Sequence, residues 1–278
     1  MLFEIDHMTR YVYSLPVELG EHLLRFFPLP LANQRPGHCQ LEIEPGPSSR
    51  ENGVDGWGNR IQRVWFQGTT DHLEIRAHLE VETWKTEPPR TTGHVRLPLD
   101  YRAEIAALST YLTPMEAAAN LQSFVQPLLT TAAGDGLSFL ATLNLAIHGF
   151  YHRGVRLEGP PRTPAETLAL GEGVCRDLTV LFMAVCRQVG LAARFVSGYQ
   201  QGDGTRELRY LHAWPEVYLP GSGWLGYDPT HATLVGDDHV MVAAAPTAAA
   251  VTPVEGGYSF QGAAITSTLD TEICITTR

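Results

Sequence analysis

The chain has 278 residues, 44% of them hydrophobic and 18% charged, a formal net charge of −10 and a mean hydropathy of −0.09. At roughly 150 residues per domain this is about two domains, with enough chain to bury a core. The acidic balance, without a lysine or arginine cluster, leaves no footprint for a phosphate backbone and excludes nucleic acid as a partner; no apolar run reaches the roughly 18 residues of a membrane helix. The start, Met1-Leu-Phe-Glu-Ile-Asp-His, has no basic segment followed by an apolar run, so a soluble, cytoplasmic chain is expected. The four cysteines (Cys39, Cys175, Cys186 and Cys274) form no CxxC pair and are too sparse for a disulfide scaffold.

In chain order, strands are expected at 3–13, 18–26, 38–44 and 60–66, separated by Pro/Gly-rich turns such as Glu44-Pro-Gly-Pro and Asp55-Gly-Trp-Gly-Asn. The alternation is clearest where Leu73, Ile75, Ala77, Leu79 and Val81 interleave with His72, Glu74, Arg76, His78, Glu80 and Glu82, a half-buried strand. These strands imply an N-terminal antiparallel β-sandwich over 1–90. Lys85-Thr-Glu-Pro-Pro-Arg-Thr-Thr-Gly interrupts both periodicities and reads as a linker. Beyond it, Thr113-Pro-Met-Glu and Thr163-Pro-Ala-Glu each carry a capping threonine, a proline at the first helical position and a glutamate three residues after the cap. Further helices are expected at 138–152 and 174–189, and strands return at 192–199, 210–219 and 224–228 before an Ala/Thr/Gly-rich C-terminal part.

In the helix that follows Gly173, Leu178, Leu181, Phe182, Val185, Cys186 and Val189 share one face, and Cys175 lies one turn before Leu178 on that face. It falls in the first turn, where unpaired N–H groups and the helix dipole favour an anion, so a thiolate there would be a nucleophile. Taken alone, Cys175 reads more simply as a small apolar core residue. Cys186, eleven residues on and about 16 Å along the axis, cannot bridge to it and reads as core. Cys39 and Cys274 read as core or sheet face.

Two later segments change that balance: Leu211-His-Ala-Trp-Pro-Glu-Val-Tyr-Leu and Gly223-Trp-Leu-Gly-Tyr-Asp-Pro-Thr. His212, Trp214, Glu216 and Tyr218 share one face of a strand, and Asp228 follows on the next, so a base and its orienting carboxylate are available. The turn decides whether they meet. With an odd number of loop residues around Pro220-Gly-Ser-Gly, opposed residues sum to an even number and His212 and Asp228 project from one face; an even loop without a bulge would separate them.

Gly171-Glu-Gly-Val-Cys-Arg-Asp-Leu-Thr, Val189-Gly-Leu-Ala-Ala-Arg-Phe-Val-Ser-Gly-Tyr, His212-Ala-Trp and Asp228-Pro-Thr resemble the core of the bacterial transglutaminase-like superfamily. The likeness covers about 163–231. Tyr13-Ser-Leu-Pro, His22-Leu-Leu-Arg-Phe-Phe-Pro and Asp55-Gly-Trp-Gly-Asn are similar to the β-domain that precedes this core in many bacterial members. The resemblance implies an α+β protein: the β-sandwich over 1–90, then a papain-like transglutaminase core of helices on an antiparallel sheet over 91–278, with the C-terminal strands. It also implies Cys175 as nucleophile, His212 as base and Asp228 as orienting acid, acting without cofactor on an amide carbonyl of a protein or peptide. Ala193 stands where members commonly have proline, Pro215 follows Trp214, and the Gly-Arg-Asp-Tyr of many relatives is absent, with Ala243 to Thr247 in its place.

Trp214, Glu216, Tyr199 and Trp224 are the candidates to contact substrate or support the triad, with packing as the alternative for the aromatics and an exposed strand position for Glu216. Gly221-Ser-Gly-Trp-Leu-Gly matches a dinucleotide pattern, but it joins two strands and reads as a hairpin. His231, Asp237, Asp238 and His239 fit no zinc spacing and are expected in a solvated loop; His148 and His152 lack an intervening HExxH glutamate, so no metal site is expected. Acyl transfer through a thioester is the expected chemistry. A non-catalytic module that binds protein or peptide on the same fold is the alternative, and retention of all three triad residues counts against it.

Overall fold

The computed structural model describes residues 1–278 except 86–94, 103, 116–118, 152–155, 157, 158, 203–208, 261 and 263. In the first 83 residues, apolar alternation is converted into five strands: β1 (Leu2–Leu24), β2 (Gln34–Glu44), β3 (Ser49–Val54), β4 (Arg60–Trp65) and β5 (Thr69–Thr83). Phe3 and Ile5 on β1 and Leu73, Ile75, Leu79 and Val81 on β5 are essentially inaccessible, as the period of two requires. The expected strands 3–13 and 18–26 are one strand. Between them the register against β5 jumps from Val12↔His72 to Val17↔Thr70, and this bulge holds Pro16, which has no N–H to give a ladder. β3 has six exposed residues and no buried alternation from which to read it. It exists as the partner of β4 across a turn in which Asp55 accepts the backbone N–H of Trp57 and Asn59, both at 2.9 Å.

Among the described residues five α-helices follow: α1 (Ile105–Leu112), α2 (Ala119–Ala132), α3 (Gly136–His148), α4 (Pro164–Leu170) and α5 (Cys175–Gln188). The Thr163 cap forms as expected, its hydroxyl accepting the Glu166 N–H at 3.2 Å while the Glu166 carboxylate takes the Thr163 N–H at 2.7 Å. The expected helix start at Thr113 is corrected: Thr113 is the C-cap of α1, and Pro114 and Met115 after it are not helical, while Glu116, His152 and the linker stretch beyond Lys85 lie outside the described residues. A second antiparallel sheet is built from β6 (Ala193–Gln200), β7 (His212–Leu219), β8 (Gly223–Asp228), β9 (Thr233–Leu234) and β10 (His239–Ala245), in the order β10-β6-β7-β8-β9. Leu178, Leu181, Phe182, Val185 and Cys186 of α5 pack into one buried cluster with Ala213, Val217 and Leu219 of β7 and Tyr227 of β8. The α+β class and the helix-on-sheet core expected from the sequence are both present.

The C-terminal strands, expected with the second part, add to the first sheet. β11 (Val254–Ser259) and β12 (Ser267–Thr277) both pair antiparallel with β1, β12 from Phe3↔Thr277 to Tyr13↔Ser267. The first sheet has the order β2-β5-β1-β4-β3, with β11 and β12 also on β1, so all its strands are continuous through that one long strand. β10 lies at the edge of the second sheet, and side-chain amides of the first part occupy its free backbone groups. Gln34 bonds the carbonyl and N–H of Met241 at 2.8 and 2.7 Å, and Asn59 bonds those of Ala244 at 3.1 and 2.8 Å. Covering an edge in this way both closes it to other chains and fixes the two sheets against each other. Among the described residues no helix is long and apolar enough to cross a membrane.

Candidate active site

The start of α5 is tightly determined. A side chain on Gly173 would meet Asp177 Cβ at 3.0 Å and Leu178 Cδ2 at 3.2 Å, so any larger residue would press on the first turn of the helix here. The fully buried Asp177 caps that entry by accepting the Val174 N–H at 3.1 Å, and it also holds the Arg162 N–H at 2.8 Å and an ion pair with Arg156. Cys175 is the first residue of the helix and is partly buried, with its carbonyl accepting the Thr179 hydroxyl at 2.8 Å. Its N–H is among the first four of the helix, which have no intrahelical partner.

The hairpin of β7 and β8 has the odd loop. Leu219↔Gly223, Val217↔Leu225 and Glu216↔Gly226 each sum to 442, leaving Pro220, Gly221 and Ser222 as the turn, with Gly221 and Gly223 at positive φ. His212 and Asp228 therefore lie one diagonal step apart on one face, and His212 Nε2 is 2.8 Å from Asp228 Oδ2. The Cys175 thiol stands close enough to the His212 ring to help hold its proton. The sequence Gly221 to Gly226 is this hairpin, as expected.

Two further imidazoles converge on the same carboxylate. His231 Nδ1 is 2.8 Å and His239 Nε2 3.0 Å from Asp228 Oδ2, while Asp228 Oδ1 accepts the N–H of Thr230 at 2.9 Å. The expectation of a loop holds for His231, exposed in a turn, and for the partly exposed turn residues Asp237 and Asp238, but is corrected for His239, which is 3% exposed and opens a strand that is buried throughout. The signal available in the sequence was its place at the head of the unbroken apolar run Val240-Met-Val-Ala-Ala-Ala. His212, Asp228 and His231 present ligand-type atoms within 4.8 Å of one another. Hydrogen bonds to one carboxylate oxygen account for that grouping. His148 points Nδ1 at the Pro229 carbonyl, 3.0 Å away, and so braces the segment that follows Asp228.

The electrostatics follow from these contacts. Burial works against a charge on His212, but the Asp228 charge and hydrogen bond, together with Cys175, outweigh it and raise the ring to about 10. Burial likewise opposes the Asp228 charge, and its three histidine partners overcome it and hold the carboxyl well below the usual carboxylate range. Elsewhere burial pushes the Cys39 thiol up to about 11 and Cys186 well above its ordinary value, which makes both poor nucleophiles.

Residues 3–82 match the bacterial transglutaminase-like N-terminal region, and residues 140–229 match the transglutaminase-like superfamily. Residues 140–229 thus carry the core of the transglutaminase-like superfamily. An uncharacterised protein of Mycobacterium tuberculosis is 27% identical over 277 residues, covering 91% of this chain and 86% of its own. A protein-glutamine gamma-glutamyltransferase of Pseudomonas aeruginosa is 38% identical over 66 residues, 21% of this chain and 10% of that protein. Among solved structures, a Cytophaga hutchinsonii protein assigned as a cysteine protease covers 100% of this chain and 91% of its own, with a TM-score of 0.72 at 19% identity. The fold is therefore shared with that protein along the length of this chain.

Three of the four supporting candidates from the sequence lie elsewhere than expected. Tyr199 is fully buried against the first sheet, with its hydroxyl 2.9 Å from His7 Nδ1, because its face of β6 packs onto β1. Glu216 is committed to Arg194, its cross-strand partner, at 2.7 Å, and Trp224 lies under the same guanidinium, 4.3 Å from ring centre to Cζ. Only Trp214 adjoins His212, at 5.9 Å between ring centres. It is wholly buried, and so it packs behind the imidazole out of a substrate's reach.

Proposed function

We propose that this protein forms and resolves a thioester at Cys175, acting on a carboxamide or peptide carbonyl of a protein or peptide with His212 as proton carrier and Asp228 as its anchor. The observation that carries the reading is one imidazole bonded to a buried carboxylate, beside a thiol on the first residue of a helix that acts on the same ring. In the reaction the Cys175 thiolate attacks the carbonyl carbon, and the charge that develops on oxygen faces the unpaired N–H of Cys175. The His212 imidazolium gives its proton to the departing amine or ammonia, leaving the acyl group on sulfur and the ring neutral. Water or a second amine then attacks the thioester carbon, His212 takes its proton, and the thiolate leaves to restore the ion pair. Asp228 keeps Nε2 engaged so that the other nitrogen faces sulfur throughout. The names carried by the Pseudomonas and Cytophaga relatives, a glutamyltransferase and a protease, fit the two ways of resolving one acyl-enzyme.

The test compares the wild type with Cys175→Ala on a casein-like protein in the presence of a labelled primary amine, followed by mass spectrometry. Cysteine-dependent label in the product identifies a transferase, and cysteine-dependent fragments or deamidation a hydrolase. Identical products from both proteins would overturn the proposal.

A further inference from the structure

His239 is held on both ring nitrogens by carboxylates: Nδ1 is 2.7 Å from Asp238 Oδ1 and Nε2 is 3.0 Å from Asp228 Oδ2. An ionised carboxylate only accepts, and a neutral imidazole has a single N–H. Both contacts are therefore hydrogen bonds only when the ring carries both protons and a full positive charge. The alternative sets a lone pair of a ring that is 3% exposed against a carboxylate at hydrogen-bond distance, and is repulsive.

The groups around the ring come from each element packed on it. Asp228 approaches from β8; His212 lies on β7 at 6.2 Å between ring centres; Trp214 meets the ring edge to face at 5.1 Å. From β6, opposite His239, Gln200 gives its amide to Asp238 Oδ2 at 3.4 Å. From the turn after β8, His231 shares Asp228. Two carboxylates thus enclose one imidazole, and one of those carboxylates is the anchor of His212.

We infer that His239 is a permanently charged, buried positioning residue that fixes the Asp228 carboxylate and sets the pH range over which the Cys175–His212 ion pair exists. A carboxylate facing His212 alone would hold the proton on that ring with its full charge. A second imidazolium on the same oxygen takes up part of that field and eases the release of the proton in each cycle. Asp238, on the far side, keeps His239 charged without touching His212. In agreement with this geometry, burial alone would drive the His239 proton off, and the bonds to Asp228 and Asp238 outweigh it and hold the ring above its ordinary range.

The inference rests on the proposed triad, and its test separates the two. In the full-length protein, nitrogen NMR of the His239 side chain at pH 7.5 is expected to show both nitrogens protonated. Asp238→Asn is expected to lower the pH at which one proton leaves. A neutral His239 ring in the wild type overturns the inference whatever Cys175 does.

The second measurement is the pH dependence of Cys175 alkylation by iodoacetamide, read by peptide mass spectrometry. His239→Gln, with its fold checked by circular dichroism, removes one positive charge and is expected to move both limbs of the profile up by about one pH unit. A lower rate with unmoved limbs would mean a purely structural role and overturn it. If Cys175 of the wild type alkylates no faster than the exposed Cys274, the triad reading fails, while the His239 spectrum on the same sample still decides whether the buried imidazolium exists.

Discussion

Each of the two sheets buries a histidine, and the two are driven in opposite directions. His7, on β1, has Tyr199 Oη at 2.9 Å and Thr9 Oγ1 at 3.0 Å, partners without charge, and burial lowers it to about 4. His212, on β7, is as well enclosed, but its partner is the Asp228 carboxylate, and the ring is raised to about 10. Burial penalises a charge in both places; an ionised neighbour decides whether the penalty prevails. The first sheet therefore uses histidine as a neutral hydrogen-bonding core residue, and the second keeps it charged where chemistry can use it.

The sharpest way to break this contrast is to remove chemistry from the second sheet alone. Cys175→Ala should abolish amine incorporation and cleavage, and Asp228→Asn should slow them by about 10³-fold, since the anchor of the ring is lost. Rates that fall by less than tenfold in Asp228→Asn would show that His212 does not depend on that carboxylate. Ile5→Ala, in the first sheet opposite Leu79, should cost about 3 kcal/mol in urea denaturation while Cys175 alkylation before the transition is unchanged. A parallel loss of alkylation would mean that the two sheets are not separable in this sense.

Stability should also carry the signature of both histidines. His212, raised in the fold, stabilises fully below pH 6.5, and that contribution is lost as pH rises from 6.5 through about 10. His7, lowered in the fold, has the reverse effect: its unfolded ring takes a proton below 6.5, and stability falls as pH drops from there toward about 4. Asp228 adds a loss only below its ordinary range near pH 4. Unfolding free energy should therefore peak near pH 6.5 and decline on either side, the His212 and His7 rings each contributing up to about 1.4 kcal/mol per pH unit, with His239, also raised, steepening the alkaline side and His22, lowered by burial, the acid side. In His7→Gln the acid-side slope should flatten while the alkaline side stays, and equal flattening of both would contradict the assignment. The smallest effect is expected for Tyr199→Phe, a loss of about 1 kcal/mol with activity unaltered; a marked change in activity would return Tyr199 to the list of substrate contacts.

Legibility followed locality. The helix that begins at Cys175 could be read from the spacing of Leu178, Leu181, Phe182 and Val185, and the capped start at Thr163 from four consecutive residues. The meeting of His212 and Asp228 followed from the parity of a three-residue turn. Glu216 and Trp224 were correctly placed on strands, but nothing nearby could tell that Arg194, a cross-strand neighbour on β6, would engage both. β3 has no alternation to read, and β12 finds its partner at the opposite end of the chain, a choice that hydrophobic pattern alone does not encode.

The sequence by itself thus determined that Cys175 begins a helix and reduced the meeting of His212 and Asp228 to the parity of one turn, because helix periodicity and hairpin register act over a few residues; the structure supplied the odd loop. Tertiary structure decided the rest of the charge arrangement. His239 reaches Asp228 only because β10 pairs with β6 and is pinned at its outer edge by Gln34 and Asn59 from the first part of the chain, contacts made across about two hundred residues. Such contacts depend on the packing of whole sheets, and no local run of residues specifies them.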